Sequence, residues 1–332
     1  MLEYNEQFAK TATEPPQKQQ YKFENLNSME ITTLPINCPQ KNTLIVVAGP
    51  TAVGKTAFSI KLAKELKTEI LSADSRQFYK ETVIGTAAPT MAERDGITHH
   101  FVGHLSIFDY YNVSMYEQDA LGVLNNLFKK NRYAILTGGS GLYIDAVCSG
   151  IDLLPDIDLK LRENLQKRLE TEGLPVLLDE LKNLDEEYYQ IVDRQNPKRI
   201  LRALEVCLQT QKTYTSLRTQ SAKKRDFDIV RICLTLPREE LNSRINLRTD
   251  EMMKNGFLEE ARNLFAYRHL NSLNTVGYKE LFDYIDGKYS LEQCIEKIKT
   301  QTRRYAKRQM TWFQKNKEYV FLDAFEGVKM VI

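Results

Sequence analysis

The sequence predicts an α/β fold: a P-loop NTPase-like core with a parallel sheet flanked by helices, plus an inserted all-helical domain. Three observations carry that prediction. The apolar, β-branched run Leu44–Ala48 passes through a glycine loop into a helical stretch, Ala57–Leu66. Strand-like runs return at Thr68–Ala73, His99–Leu105, Tyr133–Thr137 and Asp228–Leu236. From Pro155 the periods turn helical and stay so until a polar, basic tail at Lys212–Arg225. The expected division is a flexible N-terminal leader at 1–42, a core of 43–150 with 226–332, and a helical insertion at 151–225.

The leader is polar, Gln-rich at Gln17–Gln20 and broken by Pro15, Pro16, Pro35 and Pro39, and reads as loose chain. The loop after the first strand is Gly49-Pro50-Thr51-Ala52-Val53-Gly54-Lys55-Thr56. Its glycines permit backbone angles and a close approach that a Cβ obstructs. Successive N–H groups at a helix N-terminus then face one anion. Lys55 adds a point charge for a terminal phosphate, and the Thr56 hydroxyl suits a phosphate-bound Mg2+. Alone, the motif serves ATP as well as any other diphosphate.

The run Thr68–Ala73 ends in Asp74-Ser75-Arg76-Gln77, which puts Asp74 on the carboxyl rim, where open α/β sheets keep their working residues. An Asp-Ser pair is equally a turn or helix cap. Val83–Pro89 is a loop, His99 and His100 suit packing or hydrogen bonding, and Val113–Phe128 is a helix. Tyr133–Thr137 ends in Gly138-Gly139-Ser140-Gly141, a second backbone loop on the rim with a hydroxyl at Ser140. P-loop ATPases usually end such a strand in a magnesium-holding acid. Glycines stand there instead, and Asp74 is the acid well placed at a strand end, which weakens a nucleotide-hydrolysis reading.

Within the insertion, helices are expected over Leu159–Glu170, Val176–Leu184, Asp185–Val192 and Lys198–Gln209. Lys198, Arg199 and Arg202 form a basic edge there, either solvated or in contact with RNA. After the last core strand, Pro237 opens a helix over Arg238–Asn255 that Gly256 stops. Arg244 and Arg248 lie four apart on one face with no paired acid, and suit a phosphate. A loop at Asn274–Lys279 enters another helix, and Ser290–Lys317 is the last. Between Ile295 and Lys317 it carries Lys297, Lys299, Arg303, Arg304, Lys307, Arg308, Lys315 and Lys317 against Glu296, with Tyr305, Trp312 and Phe313 interleaved. Charge for phosphates and flat rings for bases suit RNA, although Trp312 is expected in the core.

With 42% hydrophobic and 27% charged residues over 332 positions, the chain has a soluble composition and enough length for a sizeable core. A net charge of +2 means that any nucleic-acid contact must come from local clusters. Cys38, Cys148, Cys207, Cys233 and Cys294 are scattered without a C-x-x-C pair, as in reduced cytosolic proteins. His99, His100, His104 and His269 have no zinc-motif spacing. No signal core and no membrane-length run occur, so a cytoplasmic location away from membranes is expected.

Taken in order, these motifs resemble the tRNA dimethylallyltransferase family, also called tRNA isopentenyltransferases, in its bacterial form. The resemblance runs from about Leu44 to the end and rests on GPTAVGKT at Gly49–Thr56, ADSRQFY at Ala73–Tyr79, IGTAAPT at Ile84–Thr90 and GGSGLY at Gly138–Tyr143. It continues through NPKRILRALE at Asn196–Glu205, VGYKEL at Val276–Leu281 and AKRQMTWF at Ala306–Phe313. It implies transfer of a dimethylallyl group from dimethylallyl diphosphate to N6 of the adenosine 3′-adjacent to the tRNA anticodon, with release of diphosphate. It also implies that the glycine loop holds the donor's diphosphate, with Mg2+, rather than ATP.

Carried over position by position, Asp74 matches the general base and Thr51 a residue at the reacting centre. Lys55, Thr56 and Arg248 match groups that neutralise the departing diphosphate. Ser75, Arg76 and Gln77 match the segment around a flipped adenine. Ser140, Arg162, the edge Lys198-Arg199-Ile200-Leu201-Arg202, the loop Thr275-Val276-Gly277-Tyr278-Lys279, and Lys307, Arg308, Gln309 and Trp312 match tRNA-contacting positions. Ser140 stands where many members have threonine, and Ala88 where lysine is common, so one phosphate or RNA contact is expected to be missing. No C-terminal zinc-finger pattern is present, and a monomer is expected.

Overall fold

The computed structural model describes residues 19–25, 31–36, 41–152, 154–156, 158–218, 222–324 and 328–331. In chain order its elements begin with β1 (Gln19–Asn25), β2 (Ile31–Ile36), β3 (Thr43–Ala48), α1 (Lys55–Leu66), β4 (Ile70–Ser72), β5 (His99–His100), α2 (Val113–Leu127), β6 (Tyr133–Gly138) and α3 (Gly141–Ser149). Helices α4 (Leu159–Thr171), α5 (Leu174–Leu184), α6 (Glu186–Ile191), α7 (Pro197–Thr210) and α8 (Tyr214–Leu217) follow. The chain then forms β7 (Asp228–Thr235), α9 (Arg238–Lys254), α10 (Phe257–Leu264), α11 (Tyr278–Ile285), α12 (Leu291–Phe313), β8 (Tyr319–Asp323) and β9 (Val328–Val331).

Six of these strands make a parallel sheet in the order β5-β4-β6-β3-β7-β8. Alternation within β3 shows why its sequence is apolar throughout. Leu44, Val46 and Ala48 enter one core with Leu71, Leu136 and Cys233, while Ile45 and Val47 enter the other with Ile70, Ile135 and Ile232. Tyr116, Ala120 and Leu124 of α2 cover the first face, and Ile60, Leu62 and Ala63 of α1 cover the second. A strand buried on both faces has no polar side to show. Because all six strands run the same way, β3, β4 and β6 deliver Gly49, Asp74 and Gly139 to one rim.

By its internal contacts the chain forms two compact units, 1–148 with 225–332, and 149–224. The smaller unit is helical and has its own core of Leu165, Leu177, Leu181, Ile200 and Leu204. Asn196 caps α7 by accepting from Arg199 N, with Pro197 in the first turn. That is the favoured start for such a helix.

Several expectations need correction. Within the leader expected to be loose, β1 and β2 pair as an antiparallel hairpin, and β1 also pairs with β9. The strand expected over His99–Leu105 stops at His100, because Phe101 turns into the left-handed region at φ 63. Leu105 regains only an isolated bridge to Tyr79. Arg244 does have a paired acid on its own face: its Nε donates to Glu240 at 2.9 Å, one turn earlier. Trp312 is not core but 39% exposed. Strand β8 and helix α10 were not anticipated.

Candidate active site

The glycine loop leaves β3 through Gly49 at φ 147, where a Cβ would stand 2.7 Å from the Leu234 carbonyl oxygen. Gly54, at φ 107, is the N-cap of α1 and makes no side-chain cap, so the first turn of the helix keeps its N–H groups for another partner. Ala52 also sits in the left-handed region at φ 65. Such strain collects at functional sites. Lys55 Nζ donates to the carbonyls of Gly49 at 3.1 Å and Pro50 at 2.8 Å. Desolvation lowers its pKa to about 8, against the raising effect of Asp74, with Arg248 lowering it further.

Two residues beyond the end of β4 stands Asp74, whose Oδ1 accepts from Arg76 N at 3.2 Å. This is the turn-capping bond that the Asp-Ser pair allows, and it leaves the carboxylate on the cavity wall. Ser75 is held from the second glycine loop, with its N donating to Ser140 Oγ at 3.1 Å and the two hydroxyls 3.2 Å apart. Gln77 Nε2 donates to the carbonyls of Thr86 and Ala87. Arg76 Nη1 donates to the carbonyls of Asn271 and Ser272.

Arg248 reaches in from α9. Its Nη1 donates to Thr51 Oγ1 at 3.1 Å and its Nη2 to the Thr86 carbonyl at 3.5 Å. Burial lowers its pKa from the ordinary arginine value, and Asp74 opposes that. Thr51, Ala52, Gly54, Lys55, Thr56, Asp74, Gln77 and Arg248 line one cavity of about 410 Å³, with Ala57, Ile60, Ala87 and Pro89 adding apolar wall. Cations and N–H groups thus face a carboxylate across a space of ligand size. Among the described residues no group of three or more His, Cys, Asp or Glu could hold a metal. A magnesium ion carried on phosphate oxygens needs few protein ligands, and the exposed Thr56 hydroxyl fits that chemistry.

Other predicted contact residues go elsewhere. Arg162 makes a bidentate pair with Glu205, at 2.6 and 2.9 Å, and Arg202 joins the same carboxylate at 3.3 Å. Ile200 and Leu201 are core residues of the smaller unit, so that edge offers Lys198 and Arg199 as its exposed side chains. The Tyr278 side chain is fully buried rather than open to a partner. Thr275 and Val276 stay partly buried, Gly277 is buried and Lys279 is exposed. Gln309 is 5% exposed: its Oε1 accepts from Thr51 N and its Nε2 donates to the Gly139 carbonyl, both at 2.9 Å. On α12, Arg304, Lys307 and Arg308 are exposed, while Lys299 pairs with Asp250 and Arg303 donates to Asn246. Trp312 Nε1 donates to Asp145, and a Cβ on Gly141 would stand 2.2 Å from its ring.

One supporting residue went unread in the sequence. Glu260 of α10 accepts from Ile84 N and Gly85 N, both at 2.8 Å, and from the Tyr278 hydroxyl at 2.5 Å. It fixes the loop whose Thr86 carbonyl meets Arg248 and Gln77. The spacing Phe257, Ala261 and Leu264 after Gly256 marks a helix there and was the available signal.

A chain with this fold and cavity can be set beside known proteins. Residues 77–316 match the model of a family described as IPP transferase. The chain is 54% identical over 276 residues to tRNA dimethylallyltransferase 1 of Bacteroides fragilis, covering 83% of this chain and 92% of that one. To the tRNA dimethylallyltransferase of Christiangramia forsetii it is 49% identical over 290 residues, covering 87% and 96%. The crystal structure of the full-length tRNA isopentenylpyrophosphate transferase from Bacillus halodurans aligns with a TM-score of 0.64 at 35% identity, over 86% of this chain and 90% of that one. A eukaryotic dimethylallyltransferase acting on tRNA aligns at 0.70 and 27% identity, over 85% and 74%. The fold is mixed α/β, with a six-stranded parallel sheet flanked by helices, and the chain belongs to the IPP transferase family.

Proposed function

We propose that this protein transfers a dimethylallyl group from dimethylallyl diphosphate to N6 of the adenosine 3′-adjacent to a tRNA anticodon. The observation that carries the reading is the cavity where the glycine loop, Asp74 and Arg248 meet, in a chain about half identical to proteins named for this activity. In this reading Gly49–Thr56 is a phosphate loop, and residues 151–225 are an inserted domain that meets tRNA. The compartment that the substrate calls for is the cytoplasm.

Adenine N6 is a weak nucleophile, because its lone pair is shared with the ring. The allylic carbon compensates by tolerating positive charge as the C–O bond to diphosphate breaks. The bond from N6 to that carbon forms, the electron pair of the broken bond leaves with diphosphate, and the N6 proton passes to the Asp74 carboxylate. Lys55, Arg248 and the N–H groups of the loop oppose the charge that builds on the leaving group. Preorganised donors of this kind are each worth about a hundred- to a thousandfold in rate, more than a positioned base at the lower end of its range. Magnesium, held through Thr56 and the phosphates, supplies further leaving-group neutralisation when bound. The target base must leave its stack to reach the cavity, and in this reading Ser75, Arg76 and Gln77 form the segment around it.

The test is incubation of unmodified tRNA with dimethylallyl diphosphate and magnesium, then nucleoside analysis by mass spectrometry. The expected product carries a C5 unit on the adenosine beside the anticodon. Added phosphate from ATP would instead identify a small-molecule kinase. A prenylated free nucleotide with untouched tRNA would identify an adenylate isopentenyltransferase. Nucleotide affinity with no product on any RNA would identify a binding regulator.

A further inference from the structure

Helix α12 carries a basic outer face, yet one of its polar residues turns the other way. Gln309 is almost fully buried and uses both ends of its amide on the two loops of the rim. The carbonyl end takes the N–H of Thr51, the residue whose hydroxyl meets Arg248. The amide end gives a hydrogen to the Gly139 carbonyl. The fit is close: a Cβ on Gly139 would lie 2.1 Å from Gln309 Nε2 and 3.6 Å from the Gly49 carbonyl oxygen. One amide therefore sets the separation of the donor loop from the loop that holds Ser75.

We infer that Gln309 is a positioning residue for the transfer step, rather than an RNA contact. The inference rests on the functional reading above. The Thr51 N–H is committed to Gln309, so the anion must use the N–H groups further along the loop. Without the amide, Thr51 and its partner Arg248 lose their fixed place relative to Asp74. Misplacement by about 1 Å typically costs about a hundredfold in rate. Substrate affinity depends mainly on other groups and stays.

The experiment compares wild type, Gln309→Leu and Gln309→Glu in single-turnover transfer at saturating tRNA and donor, with tRNA affinity measured separately. Gln309→Leu keeps volume but no polar atom, and transfer should fall about a hundredfold while tRNA affinity moves by less than about twofold. Gln309→Glu retains an acceptor for Thr51 N–H. Once protonated, its carboxyl offers one donor and one acceptor, as the amide does. Its rate relative to wild type should therefore rise as pH falls, a recovery that a merely space-filling role would not show. The inference is overturned if Gln309→Leu transfers within about threefold of wild type, or if its saturated rate is normal and only tRNA affinity drops. Should Gln309→Leu not fold, a pH-independent deficit in Gln309→Glu overturns it equally. Wild-type protein without transfer sinks the functional reading and this inference together, whereas active wild type with an unaffected variant sinks this inference alone.

Discussion

Replacing Glu260 by alanine should loosen the loop that roofs the cavity. The carboxylate accepts from Ile84 N and Gly85 N at 2.8 Å each and from the Tyr278 hydroxyl. Hydrogen bonds to a charged acceptor contribute about 1.5–3 kcal/mol each, and a buried donor left unpaired costs about 1–3 kcal/mol. The bonds here are part-buried, so water takes over some of the orphaned donors and the low end applies. Two backbone donors and one hydroxyl then give a loss of about 2–4 kcal/mol. At about 2 °C per kcal/mol for a chain of this size, Tm should fall by about 4–8 °C. Burial and then the Glu260 charge hold the Tyr278 hydroxyl far above the ordinary tyrosine range, so it remains a neutral donor at every working pH. The loop also presents the Thr86 carbonyl to Arg248, so turnover should fall more than folding does. Thermal unfolding followed by circular dichroism, with transfer assayed well below Tm, separates the two. A Tm within about 1 °C of wild type, with normal turnover, would refute the reasoning.

Three further outcomes are expected. Asp74→Ala should cut single-turnover transfer by about a hundred- to ten-thousandfold while calorimetry still detects donor binding; a near-normal rate removes Asp74 as the base. Burial brings Lys55 to about pKa 8, so above that pH the free protein has lost the proton that a bound diphosphate needs. Donor binding near pH 9 should therefore take up protons, seen as a buffer-dependent heat, with less uptake near pH 7 and a smaller heat difference in Lys55→Met; equal uptake in that variant contradicts the assignment. Arg199→Glu should weaken tRNA binding and lower the salt slope by about 0.7–0.9. Arg202 is unsuitable for this test, because reversing it would set a like charge beside the buried Glu205 and its pair with Arg162. An unchanged salt slope in Arg199→Glu counts against contact at that edge.

The sheet was legible wherever chemistry is local. Leu44–Ala48 had to be buried on both faces, and the glycines after it had to turn toward a helix, so strand, loop and helix could be placed without a partner in view. Asp74 was legible as a rim residue because it ends a strand, although its companions were not. Gln309 matched a tRNA-contacting position on a basic helix; only the fold shows that Thr51 and Gly139 lie against it. Glu260 and Tyr278 likewise find Gly85 across long stretches of chain. The Glu240–Arg244 pair was within reach, being a plain four-residue spacing. Trp312 was not, since the glycine at 141 and the acceptor Asp145 that hold its ring lie far away along the chain. The pairing of β1 with β9 joins segments at opposite ends of the chain, which no local pattern announces.

The most direct measurement is a crystal structure of this protein with an unreactive thio analogue of dimethylallyl diphosphate, magnesium and an anticodon stem-loop. Both phosphates should lie on N–H groups of the loop beyond Thr51, within Ala52–Thr56, with Lys55 and Arg248 against them, and the adenine N6 should lie within hydrogen-bond reach of Asp74. Phosphates bound away from the glycine loop, or an adenine amine facing a residue other than Asp74, would contradict it.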